Sequence, residues 1–129
     1  MKKILILDDE QELLNIWFFQ FKVWNIPVEI HTAKDGIDGL RLLNAVDDYD
    51  LIITDFNMPR MNGIEFVQKV KEDESRKDIP IFFFTAFSPE VHSKIGILDQ
   101  VMIFDKPIIT ERIHLYIKLS LKLISKNIT

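Results

Sequence analysis

Four short stretches set the strongest limit on the fold: ILIL at residues 4–7, LIIT at 51–54, IFFF at 81–84 and VMIF at 101–104. Each is apolar at nearly every consecutive position. A strand with one wet face alternates apolar and polar side chains, so these continuous runs suit strands of a parallel sheet covered on both faces. A fifth run, VEIHTA at 28–33, alternates and reads as an edge strand. Parallel strands cannot be joined by tight hairpins; each needs a crossover of a dozen or more residues. The segments at about 10–24, 34–45, 62–73, 88–98 and 110–126 have helical spacing of their apolar positions.

Strand and helix thus alternate five times, which predicts an α/β fold with helices on both faces of a parallel sheet. The punctuation agrees. Pro27, Pro80 and Pro107 sit beside strand ends, Asn62-Gly63 opens the third helix, Ser88-Pro89 supplies an N-cap followed by a first-turn proline, and Thr110 is placed to cap the last helix. With 129 residues and no linker, repeat or low-complexity tract, a single domain over 1–129 is expected.

A net charge of −4 and the lack of a dense Lys/Arg cluster provide no field to attract a phosphate backbone, so direct nucleic-acid binding is not expected. With no cysteine there is no disulfide, thiolate metal site or Cys nucleophile. The start, MKKILILDDE, resembles a signal peptide for a few residues, but its apolar run is too short and stops at three acids. No apolar run approaches the roughly 20 residues of a membrane helix. A cytoplasmic protein without membrane insertion is expected.

In an open parallel sheet, ligands bind beyond the carboxyl ends of the strands, near the switch in strand order. After the first run come Asp8, Asp9 and Glu10; after the third, Asp55 and Asn57; after the fourth, Thr85, Ala86 and Phe87; after the last, Lys106 and Pro107. Asp8, Asp9 and Asp55 at close quarters repel one another unless positive charge is supplied. Hard oxygen donors favour Mg²⁺ or Mn²⁺, and Mg²⁺ leaves coordination room for a phosphoryl oxygen. Lys106 brings a mobile ammonium and Thr85 a hydroxyl donor. Together they meet the needs of phosphoryl transfer to a carboxylate, with Asp55 as nucleophile.

The acidic pair Asp8-Asp9, the stretch DFNMPRMNG from Asp55 to Gly63, Thr85-Ala86 and Lys106-Pro107 occur in this order and spacing. On these pieces the chain resembles, over essentially its whole length, a receiver domain of the response-regulator family of two-component phosphorelays, of the stand-alone chemotaxis-regulator type. The resemblance implies a flavodoxin-like, doubly wound (βα)5 three-layer sandwich with strand order 2-1-3-4-5. It implies that Asp55 accepts the phosphoryl group and helps bind the metal, that Asp9 is a direct metal ligand, and that Asp8 acts mainly through metal-bound water. The Asn57 backbone carbonyl resembles a third protein ligand. Lys106 resembles the phosphate-binding lysine, its bond to Pro107 cis, and Thr85 the switch hydroxyl. The implied partners are a histidine kinase or histidine phosphotransfer protein and a downstream protein target. Such a domain promotes its own phosphorylation and dephosphorylation.

Two positions depart from the family pattern. Ile103 stands where a Tyr or Phe often turns inward as the Thr moves, and the adjacent Phe104 points to the opposite face. Phe87, two residues after Thr85, predicts slow self-dephosphorylation by hindering water, which Phe87→Glu or Phe87→Ala would speed.

The first helix is unusually aromatic. Leu14, Trp17, Phe18 and Phe21 form one buried face, leaving Leu13, Ile16, Phe19 and Trp24 partly exposed, either as stray surface apolars or as a partner surface. In the last helix Ile113, Tyr116 and Ile117, with Leu121 or Ile124, face the sheet, and Leu115, Leu119 and Leu123 face outward, toward solvent, a docking partner or a second copy in a homodimer. His31, His92 and His114 lack metal-ligand spacing and read as surface or capping residues. Asp47, Asp48 and Asp50 read as a solvated loop, and Glu72, Asp73 and Glu74 as a solvated helix end.

Two other functions compete. A small-substrate phosphatase acting through an aspartyl-phosphate usually carries a second acid two residues after the nucleophile; here that residue is Asn57, which cannot serve. A phosphorylation-independent interaction module would keep the fold and ignore Asp55→Asn.

Overall fold

The computed structural model describes residues 1–86, 88–105 and 111–124. Five strands and five helices alternate: β1 (Lys2–Leu7), α1 (Gln11–Val23), β2 (Val28–Ala33), α2 (Gly36–Ala45), β3 (Leu51–Asp55), α3 (Gly63–Glu72), β4 (Ile81–Thr85), α4 (Pro89–Ile95), β5 (Val101–Asp105) and α5 (Glu111–Ser120). All neighbouring strands are parallel, in the order β2-β1-β3-β4-β5. This is the doubly wound order that the resemblance implies, with its switch point between β1 and β3.

Successive side chains of a strand point to opposite faces, and the continuous apolar runs fill a core layer on each side. Leu5, Leu7, Ile52 and Phe83 pack with Leu43 of α2, Phe66 and Val70 of α3, and Val91 and Ile95 of α4. Ile4, Ile6, Ile53, Phe82 and Phe84 pack with Leu14, Trp17 and Phe21 of α1, Ile113 and Ile117 of α5, and Leu121 just after α5. The alternating β2 is an edge, as its pattern predicts. The VMIF run departs from expectation. It forms the opposite edge, and Val101 to Phe104 are only half-buried because, among the described residues, no strand pairs with β5 beyond β4.

The helix ends follow from local chemistry. Asn62 and Glu65 form a reciprocal capping box at the start of α3. The Ser88 hydroxyl accepts from the Val91 amide at the start of α4, with Pro89 in the first turn. Thr110 lies outside the described residues. Helix α1 closes through Asn25 at φ 56°, with the Asn25 amide donating to the Lys22 carbonyl and the Ile26 amide to that of Phe21. Lys122, at φ 59°, closes α5 by the same pair of bonds to Leu119 and Lys118. Accordingly α5 ends at Ser120 and not near 126, and α4 ends at Ile95 before Gly96 and not at 98.

Helix α1 differs from expectation at one position. Phe18 is 39% exposed, because Leu14, Trp17 and Phe21 already complete the buried stripe. Ile16 and Phe19 are exposed as expected, and Trp24 is half-buried, stacked on His114 of α5 at 4.4 Å between ring centroids. In α5, Leu115 faces outward, as does Leu123 beyond its end; Tyr116 is half-buried over the sheet, and Leu119 is half-buried and not fully exposed.

Candidate functional site

The site lies at the carboxyl ends of β1, β3 and β4. Leu7 is the last buried apolar residue of β1, and the chain then delivers Asp8, itself buried, to the sheet edge. The Asp8 amide donates to the Ala33 carbonyl at the end of β2 (3.0 Å), and one Asp8 carboxylate oxygen accepts from the Glu10 amide (2.9 Å). Every residue of β3 is buried, and the strand ends on Asp55. The Gly63 amide donates to the Phe56 carbonyl (2.8 Å), which brings the start of α3 against the end of β3. A Cβ at Gly63 would lie 2.2 Å from the Asp55 carbonyl oxygen, so only glycine permits this approach.

One carboxylate oxygen from each of Asp8, Asp9 and Asp55 lies within 4.8 Å of the others. Asp8 and Asp55 are buried while Asp9 is exposed, which leaves one side of the cluster open to solvent. Hard, anionic oxygens at this spacing fit a small divalent cation of the Mg²⁺ type, which retains water or takes a phosphoryl oxygen on its open side.

Thr85 ends β4 and is buried; its hydroxyl donates to the Ala86 carbonyl (2.7 Å). Asp55 is in register with Phe84, so Thr85 follows directly beside the acid on the next strand. Asn57 is exposed just after β3. Ile103 packs on the α2–α3–α4 side of the sheet, and Phe104 on the other, where its ring stacks on Phe84 at 5.2 Å. Phe87, Lys106 and Pro107 lie outside the described residues.

Beside these residues stands a group that sequence reasoning missed. Asp35 is buried at the N-cap of α2, accepts from the Asp38 amide (2.9 Å), and receives the Arg60 guanidinium Nε on its other oxygen (2.7 Å). Arg60 also reaches Asp38 (3.2 Å). Burial pushes the Asp35 carboxyl up. The Arg60 hydrogen bond, the Asp38 and Ile37 amides and the Arg60 charge together outweigh it and hold the carboxyl below its ordinary value. Asp35-Gly36 with an acid at Asp38 is a legible helix start, but nothing local ties Asp35 to a guanidinium 25 residues away.

Among the described residues no histidine belongs to a metal-capable cluster. His31 lies between the Tyr49 hydroxyl (2.6 Å) and Glu29 (3.0 Å), and His114 stacks on Trp24. Asp47 and Asp48 are solvated, whereas Asp50 accepts from the Lys3 amide (2.9 Å) and joins the loop to β1.

The family model described as the response regulator receiver domain matches residues 4–118. The chain is similar to the chemotaxis protein CheY1 of Helicobacter pylori, 34% identical over 84 residues, or 64% of this chain and 66% of that protein. It is similar to the response regulator ArlR of Staphylococcus aureus, 36% identical over 100 residues, or 77% of this chain and 42% of that protein. The matches span less than two thirds of the length of either relative. Among solved structures, the chemotaxis response regulator CheY4 of Vibrio cholerae superimposes with a TM-score of 0.80 at 29% identity, covering 94% of this chain and 99% of that one.

Proposed function

Because this chain belongs to the response-regulator receiver family, we propose that it takes a phosphoryl group from a histidine kinase or histidine phosphotransfer protein onto Asp55 in a Mg²⁺-dependent reaction. Its output is phosphorylation-dependent binding to another protein, in the cytoplasm. The observation that carries this reading is the convergence of Asp8, Asp9 and Asp55 at the switch point of the sheet. Among the described residues no helix is long and apolar enough to cross a membrane.

The cation would be held by the carboxylates of Asp9 and Asp55 and the Asn57 carbonyl, with Asp8 beside them. When bound, Mg²⁺ neutralises the clustered carboxylates and the charge on the phosphoryl oxygens. A carboxylate oxygen of Asp55 forms the new P–O bond as the P–N bond of the donor's phosphohistidine breaks, and the electron pair leaves with the imidazole nitrogen. Burial restricts Asp55 to few orientations, so little freedom remains to be lost on reaching the attack geometry. Thr85 turns its hydroxyl from the Ala86 carbonyl to a phosphoryl oxygen, a change of one side-chain torsion. Lys106 follows Asp105, the register partner of Thr85, and supplies a cation to the same oxygens.

Intact mass after incubation with acetyl phosphate and Mg²⁺ tests the chemistry. A gain of about 80 Da in the wild type, dependent on the metal and abolished by Asp55→Asn, is expected. No adduct from acetyl phosphate or from a phosphohistidine donor, with a partner that binds Asp55→Asn equally well, would point instead to a phosphorylation-independent interaction module.

A further inference from the structure

The loop between β3 and α3 is held in a strained form by a contact outside the acidic cluster. The Met61 amide donates to the Pro59 carbonyl (2.6 Å) across Arg60, which sits at φ 62°. This is the three-residue turn with positive φ at its centre, rare and strained for a residue that carries a Cβ. A non-glycine residue stays there only when its surroundings hold it. Here the Arg60 guanidinium is tied to buried Asp35 (2.7 Å) and to Asp38 (3.2 Å), and the Met61 carbonyl accepts from the Gly36 amide (3.0 Å). Three consecutive contacts thus clamp the loop to the first turn of α2. The same β2–α2 segment reaches the acids from the other side, because Ala33 accepts from the Asp8 amide (3.0 Å).

We infer that the Asp35–Arg60 pair is a positioning device that holds the 56–61 loop, and with it the Asn57 carbonyl, at the height of Asp8, Asp9 and Asp55, and so sets the affinity of the site for Mg²⁺. The inference rests on the receiver reading of the acidic cluster. Neither side chain touches the cation; Arg60 acts through the backbone three residues before it, and Asp35 through Arg60. An exposed arginine held only by a surface ion pair would contribute little. Here the carboxylate partner is buried and also caps α2, so loop and helix start share one anchor.

The test is a Mg²⁺ titration followed by backbone amide shifts, with the thermal midpoint measured for each variant. Asp35→Asn keeps a side chain that caps a helix as well as aspartate does, and removes only the charge. Arg60→Gly removes the clamp but relieves the positive φ, so it should not lose thermal stability through backbone strain. Each should weaken Mg²⁺ binding by about tenfold, the lower end of what loss of a ligand-orienting partner costs. The double variant should be no worse than either single one, since both break the same contact. Arg60→Lys should recover only part of the affinity, because an ammonium cannot fork between Asp35 and Asp38. Unchanged Mg²⁺ affinity in folded Asp35→Asn and Arg60→Gly would overturn the inference while leaving the receiver reading intact. A wild type that binds no Mg²⁺ would overturn the receiver reading itself, and the inference with it.

Discussion

At Gly63 a single hydrogen in place of a side chain lets the start of α3 lie against the strand that delivers Asp55. A Cβ there would meet the Asp55 backbone carbonyl first and then the buried Phe83 ring at 3.0 Å, so the clash cannot be relieved by a rotamer change. Gly63→Ala should therefore destabilise the fold by about 1–3 kcal/mol, the usual range for overpacking. It should also lower the rate of Asp55 phosphorylation, because relaxation must move the 55–63 segment. Urea denaturation and the acetyl phosphate time course read the two effects separately. The glycine itself is plain in the sequence, following Asn62 at a helix start. Its contact with the carbonyl eight residues earlier is not, because that distance depends on how α3 packs across the sheet.

The helices show how far periodicity reaches. Leu14, Trp17 and Phe21 recur at helical spacing and are buried, and Phe19 lies 67% exposed on the opposite side of α1. Trp17→Ala should cost about 3–5 kcal/mol, as loss of a buried aromatic does, whereas Phe19→Ser should change stability by less than about 0.5 kcal/mol. Thermal or urea unfolding of the two variants reads this difference. The end of α5 supplies a prediction of opposite sign. Lys122 occupies a left-handed position that glycine takes without strain, and its side chain is exposed. Lys122→Gly should raise stability by about 1 kcal/mol in the same measurement. Helix α5 is shorter than its apolar spacing predicts, because that spacing continues beyond Ser120 while Lys122 has already turned to positive φ.

On the scale of the whole molecule, Asp35 links three segments: the start of α2, the β3–α3 loop and, through Ala33, the end of β1. Its carboxyl is held below its ordinary value of 3.8 in the folded chain, so folding favours the ionised form. The resulting stabilisation is complete above that ordinary value and is lost as pH falls through the lower folded value. The urea midpoint of the wild type should thus fall with acidification below about pH 4 more steeply than that of Asp35→Asn. Equal slopes would mean that Arg60 and the amides leave the carboxyl unperturbed.

What the sequence determined by itself was local in origin. Continuous apolar runs require strands covered on both faces, helical spacing marks the crossovers, and caps and prolines mark their ends, so the fold class and the acids at the strand ends could be read residue by residue. Tertiary structure decided what depends on a neighbour. It made VMIF an edge although its pattern matches the central strands, because a run does not encode whether another strand lies beside it. It left Phe18 partly exposed, because the stripe was already filled, and it paired Asp35 with Arg60. That pairing arises only when α2 and the β3–α3 loop are brought together on one end of the sheet, where a buried carboxylate and a guanidinium satisfy each other at a distance that no stretch of sequence contains.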